Sequence, residues 1–313
     1  MKSHYKLDWK TRLLHIILNF SSGKPLEQMD LDELKTASQP TISPFIKRVF
    51  NGKQIPVKEV VRQNIPGRVD IPIQLYYPDR QQYSSLIVFF HGGGWVYGNF
   101  DTHDRLCRRV ARDTSAIVLA VDYRLAPFSK YPTALLDCYD ALLWARENIA
   151  SFVDSEKIIV MGDSAGGNLA AAVCLMARDE GHQFIHQQVL LYPVVSGKLD
   201  LPSTEKNADA PVLTTPRMQY FVNCYARDEA DILQPYFSPL LAKDLNNLPP
   251  ALIITCEYDP LHDQAVKYAQ RLQEAGIEVK LLDYSQTIHG FISFSPFCSE
   301  ALPAFTEIAK FIN

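Results

Sequence analysis

Lys157-Ile-Ile-Val-Met-Gly162-Asp-Ser164-Ala-Gly-Gly167-Asn168 is the stretch whose reading decides the fold. The residues through Met161 form an apolar run of the kind found in a strand covered on both faces. Small residues follow at Gly162, Ala165, Gly166 and Gly167, and Gly167–Arg178 then reads as a helix. A five-residue G-x-S-x-G pattern alone would mean only a glycine-rich turn. With a strand entering and a helix leaving, it reads as a strained turn that presents the Ser164 hydroxyl, with small flanks permitting close approach. Such a turn also sets Ser164 at a helix N-terminus, where free N–H groups and the helix dipole favour developing negative charge.

Working outward toward the N-terminus, a second apolar run at Leu86–Phe90 leads into His91-Gly92-Gly93-Gly94-Trp95. Three consecutive glycines let a loop fold close to a reacting group and aim backbone N–H groups at it. The N–H groups of Gly93 and Gly94, with that of Ala165, are the candidate oxyanion donors. His91, on that side, reads as a loop-organising side chain. Toward the C-terminus, an acid and then a histidine are expected in that order. The strand-like run Ala251–Cys256 ends in Glu257-Tyr258-Asp259-Pro260, so Asp259 sits past a strand end. The strand-like run Glu278–Tyr284 is followed by a loop holding His289. Asp283 lies within that strand, and Asp263 with His262 lies in the following helix, so Asp259 is the expected partner of His289.

From about Lys58 onward, strand-like and helix-like segments alternate, with further strands at Ile71–Tyr77, Ile117–Val121 and Gln188–Tyr192. Helical segments fall at Asp101–Arg112, Pro132–Asn148, His262–Ala275 and Pro303–Phe311, and Gly276 suits a C-terminal stop. That alternation implies an α/β class with a mostly parallel central sheet flanked by helices. Two regions interrupt it. Residues 1–50 read as amphipathic helix, with Asp30 and Glu33 spaced as a capping box. Residues 196–230 carry a helix at Pro216–Ala226, with Thr215 at its expected cap and Met218, Phe221, Val222 and Tyr225 on one face. That face suits core packing, a substrate-pocket wall, or both, and Trp95, bordering the glycine loop, is a further substrate-binding candidate.

The chain has 313 residues, 47% of them hydrophobic, and a formal net charge of -4. That length can bury a large core, and no basic block points to nucleic acid. The six cysteines at 107, 138, 174, 224, 256 and 298 form no CxxC pair. They support neither a disulfide framework nor a cysteine–zinc site, and fit a reducing, cytoplasmic setting. His182 and His186, four apart, have no acidic partner between them and read as surface residues. The apolar run Leu13–Leu18 is short, contains His15 and lacks a cleavage-type site, so it is expected to stay in the protein. No stretch is long enough for a membrane span.

Together, His91–Trp95, Asp122-Tyr-Arg-Leu-Ala-Pro127, Gly162–Asn168, Glu257–Asp263 and His289-Gly-Phe291 resemble the hormone-sensitive-lipase-like carboxylesterases of the α/β-hydrolase fold. Phe128 departs from the glutamate usual after Leu-Ala-Pro, which bears on local loop structure only. The resemblance implies a helical cap built from residues 1–50 and 196–230 over a core of residues 51–195 and 231–313. It implies hydrolysis of a small-molecule ester, short to medium in acyl chain, with no cofactor and no metal. Ser164 would be the nucleophile, His289 the base and Asp259 the acid. Amide hydrolysis or deacetylation would use the same three residues. A non-catalytic small-ligand-binding relative is a further alternative, disfavoured because all three residues are present. A homodimer is left open.

Overall fold

A computed structural model describes residues 5–21, 24, 28–38, 54–148, 151–153 and 156–313. Among them eight strands form one sheet: β1 (Glu59–Ile65), β2 (Ile71–Tyr77), β3 (Leu86–Phe90), β4 (Ile117–Val121), β5 (Ile158–Asp163), β6 (Ile185–Leu191), β7 (Ala251–Tyr258) and β8 (Val279–Ile288). Their order is β1-β2-β4-β3-β5-β6-β7-β8. β2 pairs antiparallel with β1 and β4, and every other pair is parallel.

The central strands show why both faces are covered. In β3, Leu86, Val88 and Phe90 enter one buried cluster, whereas Ile87 and Phe89 enter the other. That is the two-residue alternation of a strand with no wet face. Helices α4 (Thr133–Asn148), α5 (Ala165–Asp179) and α9 (His262–Glu274) contribute Leu135, Leu169 and Leu272 to the first cluster. Helices α3 (Phe100–Thr114) and α10 (Ala301–Ile312) contribute Val110 and Ile308 to the second. The N-terminal helices α1 (Trp9–Ser21) and α2 (Leu31–Ser38) divide between them: Leu14 joins the second cluster and Leu34 the first. The expected capping box is present, with Glu33 N–H donating to Asp30 Oδ1 at 2.8 Å and Asp30 N–H to Glu33 Oε2 at 2.9 Å. Residues 39–50 of the segment read as helical lie outside the described residues.

Residues 196–230 hold α6 (Pro202–Lys206), α7 (Thr215–Tyr225) and the start of α8 (Glu229–Ile232). The N-cap of α7 is Thr214, one residue earlier than expected, because its hydroxyl accepts the Arg217 N–H while Thr215 Oγ1 donates to the Thr204 carbonyl. β8 also runs four residues past its expected end. Its polar Ser285-Gln286-Thr287 reads as loop, yet Tyr258 pairs with Ile288 beyond an irregularity in the β7–β8 register. Gln286 takes up the irregularity at φ 58°, and its N–H donates to Glu257 Oε2 at 2.8 Å. His91, Ser164, Asp259 and His289 thus all stand just beyond the C-terminal ends of parallel strands, where open α/β sheets place their sites. No described helix is long and apolar enough to cross a membrane.

Candidate active site

Ser164 occupies the single residue between β5 and α5, at φ 55° and ψ -117°. A non-glycine residue holds that left-handed backbone only when its surroundings over-determine it. Here the Ser164 N–H donates to the Leu191 carbonyl at 2.9 Å, and its own carbonyl accepts from Val194 and Asn168, each at 3.1 Å. Close approach makes the glycine at 166 obligatory: a Cβ there would overlap the Phe90 carbonyl.

His289 Nε2 lies 2.9 Å from Ser164 Oγ, and its Nδ1 lies 2.7 Å from Asp259 Oδ2. All three side chains are buried, Asp259 to 1% exposure. Asp259 is held in turn: its Oδ1 accepts the Leu261 N–H at 2.8 Å, and its carbonyl accepts from Asn207 Nδ2 at 3.0 Å. The Tyr192 ring stands edge-on to His289 at 4.9 Å. The two rival carboxylates are engaged elsewhere. Asp283 accepts from Thr255 Oγ1 at 2.9 Å and faces His262, and Asp263 Oδ2 accepts the Ser203 N–H at 2.8 Å.

The glycine loop lies against this turn. Gly92 N–H donates to Asp163 Oδ1 at 2.9 Å. Gly94 sits at φ 61° against the Phe221 ring, with no space for a side chain. Among the described residues, neither the Gly93 nor the Gly94 N–H has an acceptor. Ala165 is the first residue of α5, so its N–H has no partner within the helix. Free N–H groups on the glycine loop and on the first residue of α5 are the kind of donors that can hold an anionic oxygen.

Several residues that hold the loop carry no motif of their own. Asp163 is buried beside Ser164 and also faces His103 Nε2 at 3.3 Å, whose Nδ1 meets Thr102 Oγ1 at 2.8 Å. Burial pushes the Asp163 carboxyl up, but the His103 ring and the Gly92 N–H outweigh it and hold it below the usual carboxylate range. His91 is no base: burial above all, with His103, pushes it down to about 3. It stays neutral, donates Nδ1–H to the Gly92 carbonyl at 2.8 Å and stacks on Tyr123 at 4.2 Å. Tyr123 in turn donates its hydroxyl to the His91 carbonyl at 2.6 Å, and the Ala126 N–H donates to the Trp95 carbonyl at 2.8 Å. The Asp122–Pro127 motif is thus the floor under the glycine loop. Arg124 anchors that floor through a two-pronged pair with buried Asp137 on α4.

The four candidate pocket residues are all buried. Trp95 stacks on Tyr225 with ring centroids 4.6 Å apart, both inside the first cluster. Met218 and Phe221 belong to the same cluster, and of the four Phe221 is the side chain that overlies Gly94. Phe128 is half exposed, at the surface. His182 lies in the turn after α5, and His186 is on β6.

Residues 87–293 match the family model described as alpha/beta hydrolase fold. An arylesterase of Saccharolobus solfataricus is 41% identical over 233 residues, covering 71% of this chain and 73% of that protein. The carboxylesterase NlhH of Mycobacterium tuberculosis is 41% identical over 235 residues, covering 73% of each. The hyperthermophilic esterase of Pyrobaculum calidifontis superposes with a TM-score of 0.88 at 38% identity, over 98% of this chain and 97% of that one. The chain belongs to the hormone-sensitive-lipase-like esterases of the alpha/beta-hydrolase fold, a family of serine hydrolases.

Proposed function

We propose that this protein is a carboxylesterase acting on short- to medium-chain acyl esters through Ser164, His289 and Asp259. The observation that carries the reading is the unbroken hydrogen-bonded line from Asp259 through His289 to the strained Ser164. His289 Nε2 takes the proton as Ser164 Oγ bonds to the ester carbonyl carbon. The carbonyl oxygen becomes an anion held by the Gly93, Gly94 and Ala165 N–H groups. His289 then passes its proton to the leaving alkoxide, the C–O bond breaks, and the acyl group remains on Ser164. A water molecule, deprotonated by His289, attacks the acyl carbon, and the acid leaves as Ser164 Oγ recovers the proton. Asp259 keeps the imidazole tautomer with Nε2 free to accept and stabilises the imidazolium.

Residues 1–50 and 196–230 form the cap in this reading, over a core of residues 51–195 and 231–313. The Phe221 ring against Gly94, with Met218 one turn before it, supports α7 as a wall of the acyl pocket. Trp95 and Tyr225, stacked on each other, belong to that wall in this reading. A wall so close to the reacting carbon favours acyl chains of about two to eight carbons. The test is a series of nitrophenyl esters of rising chain length beside matching aryl amides. The expected result is a kcat/KM maximum within that range, with amides much slower. Preference for long-chain emulsified triglyceride, or for the amides, would contradict it.

A further inference from the structure

Helix α1 has an apolar face that the described residues leave exposed. Its inward side is settled: Leu14 and Thr11 are buried, as are Tyr5 and Leu7 just ahead of the helix. Tyr5 donates its hydroxyl to Asp209 at 2.9 Å and meets the Tyr258 ring edge-on at 5.2 Å. The Lys6 N–H donates to Tyr258 Oη at 3.1 Å. These contacts hold the segment leading into α1 against the end of β7, and Thr11 on the helix meets Phe297 and Cys298. Trp9, Leu13 and Ile16 follow the i, i+4, i+7 spacing of a single helix face. They are 70%, 42% and 50% exposed, where a solvated helix face is ordinarily polar.

The charges on this segment are mostly positive. Residues 5–17 contain the exposed cations Lys6, Lys10 and Arg12 against Asp8 alone, in a chain of net charge -4. Asp8 is taken up in capping the helix, accepting the Lys10 and Thr11 N–H groups at 2.8 and 3.2 Å and the Thr11 hydroxyl at 2.6 Å. Lys10 Nζ stands 5.7 Å over the Trp9 ring. A Trp-Leu-Ile face bordered by Lys and Arg is the composition of helices that lie in a bilayer interface. A second copy meeting the same face would bring like charges together. We propose that α1 seats this protein on an anionic phospholipid surface, with Trp9, Leu13 and Ile16 at the acyl boundary and Lys6, Lys10 and Arg12 against lipid phosphates. At 13 residues the helix is about 20 Å long, too short to cross a bilayer, so it lies along the surface.

The full chain is mixed with vesicles of phosphatidylcholine alone or blended with phosphatidylglycerol, and binding is read by co-sedimentation and tryptophan emission. Trp95 is buried and Trp144 partly so, which leaves Trp9 to report transfer from water. Binding to the blended vesicles is expected, with a blue shift in emission and loss of binding at high salt. Replacing the stripe (Trp9→Ser with Leu13→Ser and Ile16→Ser), or reversing charge with Lys10→Glu and Arg12→Glu, should each weaken binding by about ten-fold or more. Turnover of a water-soluble ester should stay unchanged in both variants. Failure of the chain to bind blended vesicles would overturn the proposal, as would full binding by the stripe variant. Light scattering that showed a dimer dispersed by the stripe substitutions would assign the face to a second copy instead. The vesicle readout needs no turnover, so it stands or falls separately from the assignment of Ser164, His289 and Asp259.

Discussion

Ser164 owes much of its setting to its neighbour. Asp163 is a buried carboxylate inside an otherwise small and apolar turn, and burial of an unpaired charge is costly. Its partners are Gly92, 71 residues away, and His103, 60 residues away, so no local spacing announces them. The signal available in the sequence was the buried charge itself, which demands a partner. Ser164, Asp259 and His289 were legible because each follows a strand-like run in a fixed chain order. Removing the anchor with Asp163→Ala should lower kcat about 100-fold with little change in KM, as losing an oxyanion donor does. Retention of full turnover would show that the glycine loop is held without it. The acid assignment separates just as sharply. Asp259→Asn keeps the shape but favours the wrong imidazole tautomer, with an expected loss of about ten thousand-fold in kcat. Asp263→Asn and Asp283→Asn should each lose less than about ten-fold, since both carboxylates face other partners. Equal losses in the three variants would undo the assignment.

At the scale of elements, α9 is tied to β8 by a pair that titrates. The hydrogen bond to Asp283 above all, helped by Asp263 and opposed by burial, raises His262 to about 9. A histidine raised in the folded state stabilises it fully below the unfolded pKa of about 6.5, and that contribution disappears as pH rises toward the folded value. Stability should therefore fall by about 1–2 kcal/mol between those two pH values, allowing for solvent screening at the half-exposed Asp283. Urea unfolding across that range should show the slope in the wild type and lose it in His262→Ala. A second tie joins the floor of the glycine loop to α4. Arg124→Ala leaves buried Asp137 without its counter-charge, holding only the backbone N–H of residue 124, with an expected loss of about 2 kcal/mol and about 4 °C in Tm. An unchanged Tm would mean that Asp137 finds another partner. Element boundaries were less legible than elements. β8 passes through Ser285-Gln286-Thr287 because its pairing with β7 overrides local polarity. The start of α7 moved by one residue because two adjacent threonines compete for the cap.

For the molecule as a whole, the parallel sheet gathers segments far apart in sequence. β3, β5, β7 and β8 deliver His91, Ser164, Asp259 and His289 to one edge, and strand–helix alternation was enough to anticipate that. The packing of the cap elements was less open to reading. The apolar face of α7 fits core and pocket alike, and only the position of Phe221 over Gly94 separates the two roles. Burial of Trp95 against Tyr225 follows from contacts across the whole chain, which no periodicity encodes. The central claim is that Ser164 becomes covalently acylated. Its most direct measurement is intact-mass and peptide analysis after exposure to a fluorophosphonate. The expected result is one adduct per chain, on the peptide containing Ser164, with parallel loss of esterase activity and no adduct in Ser164→Ala. An adduct on another residue, or esterase activity retained in Ser164→Ala, would contradict it.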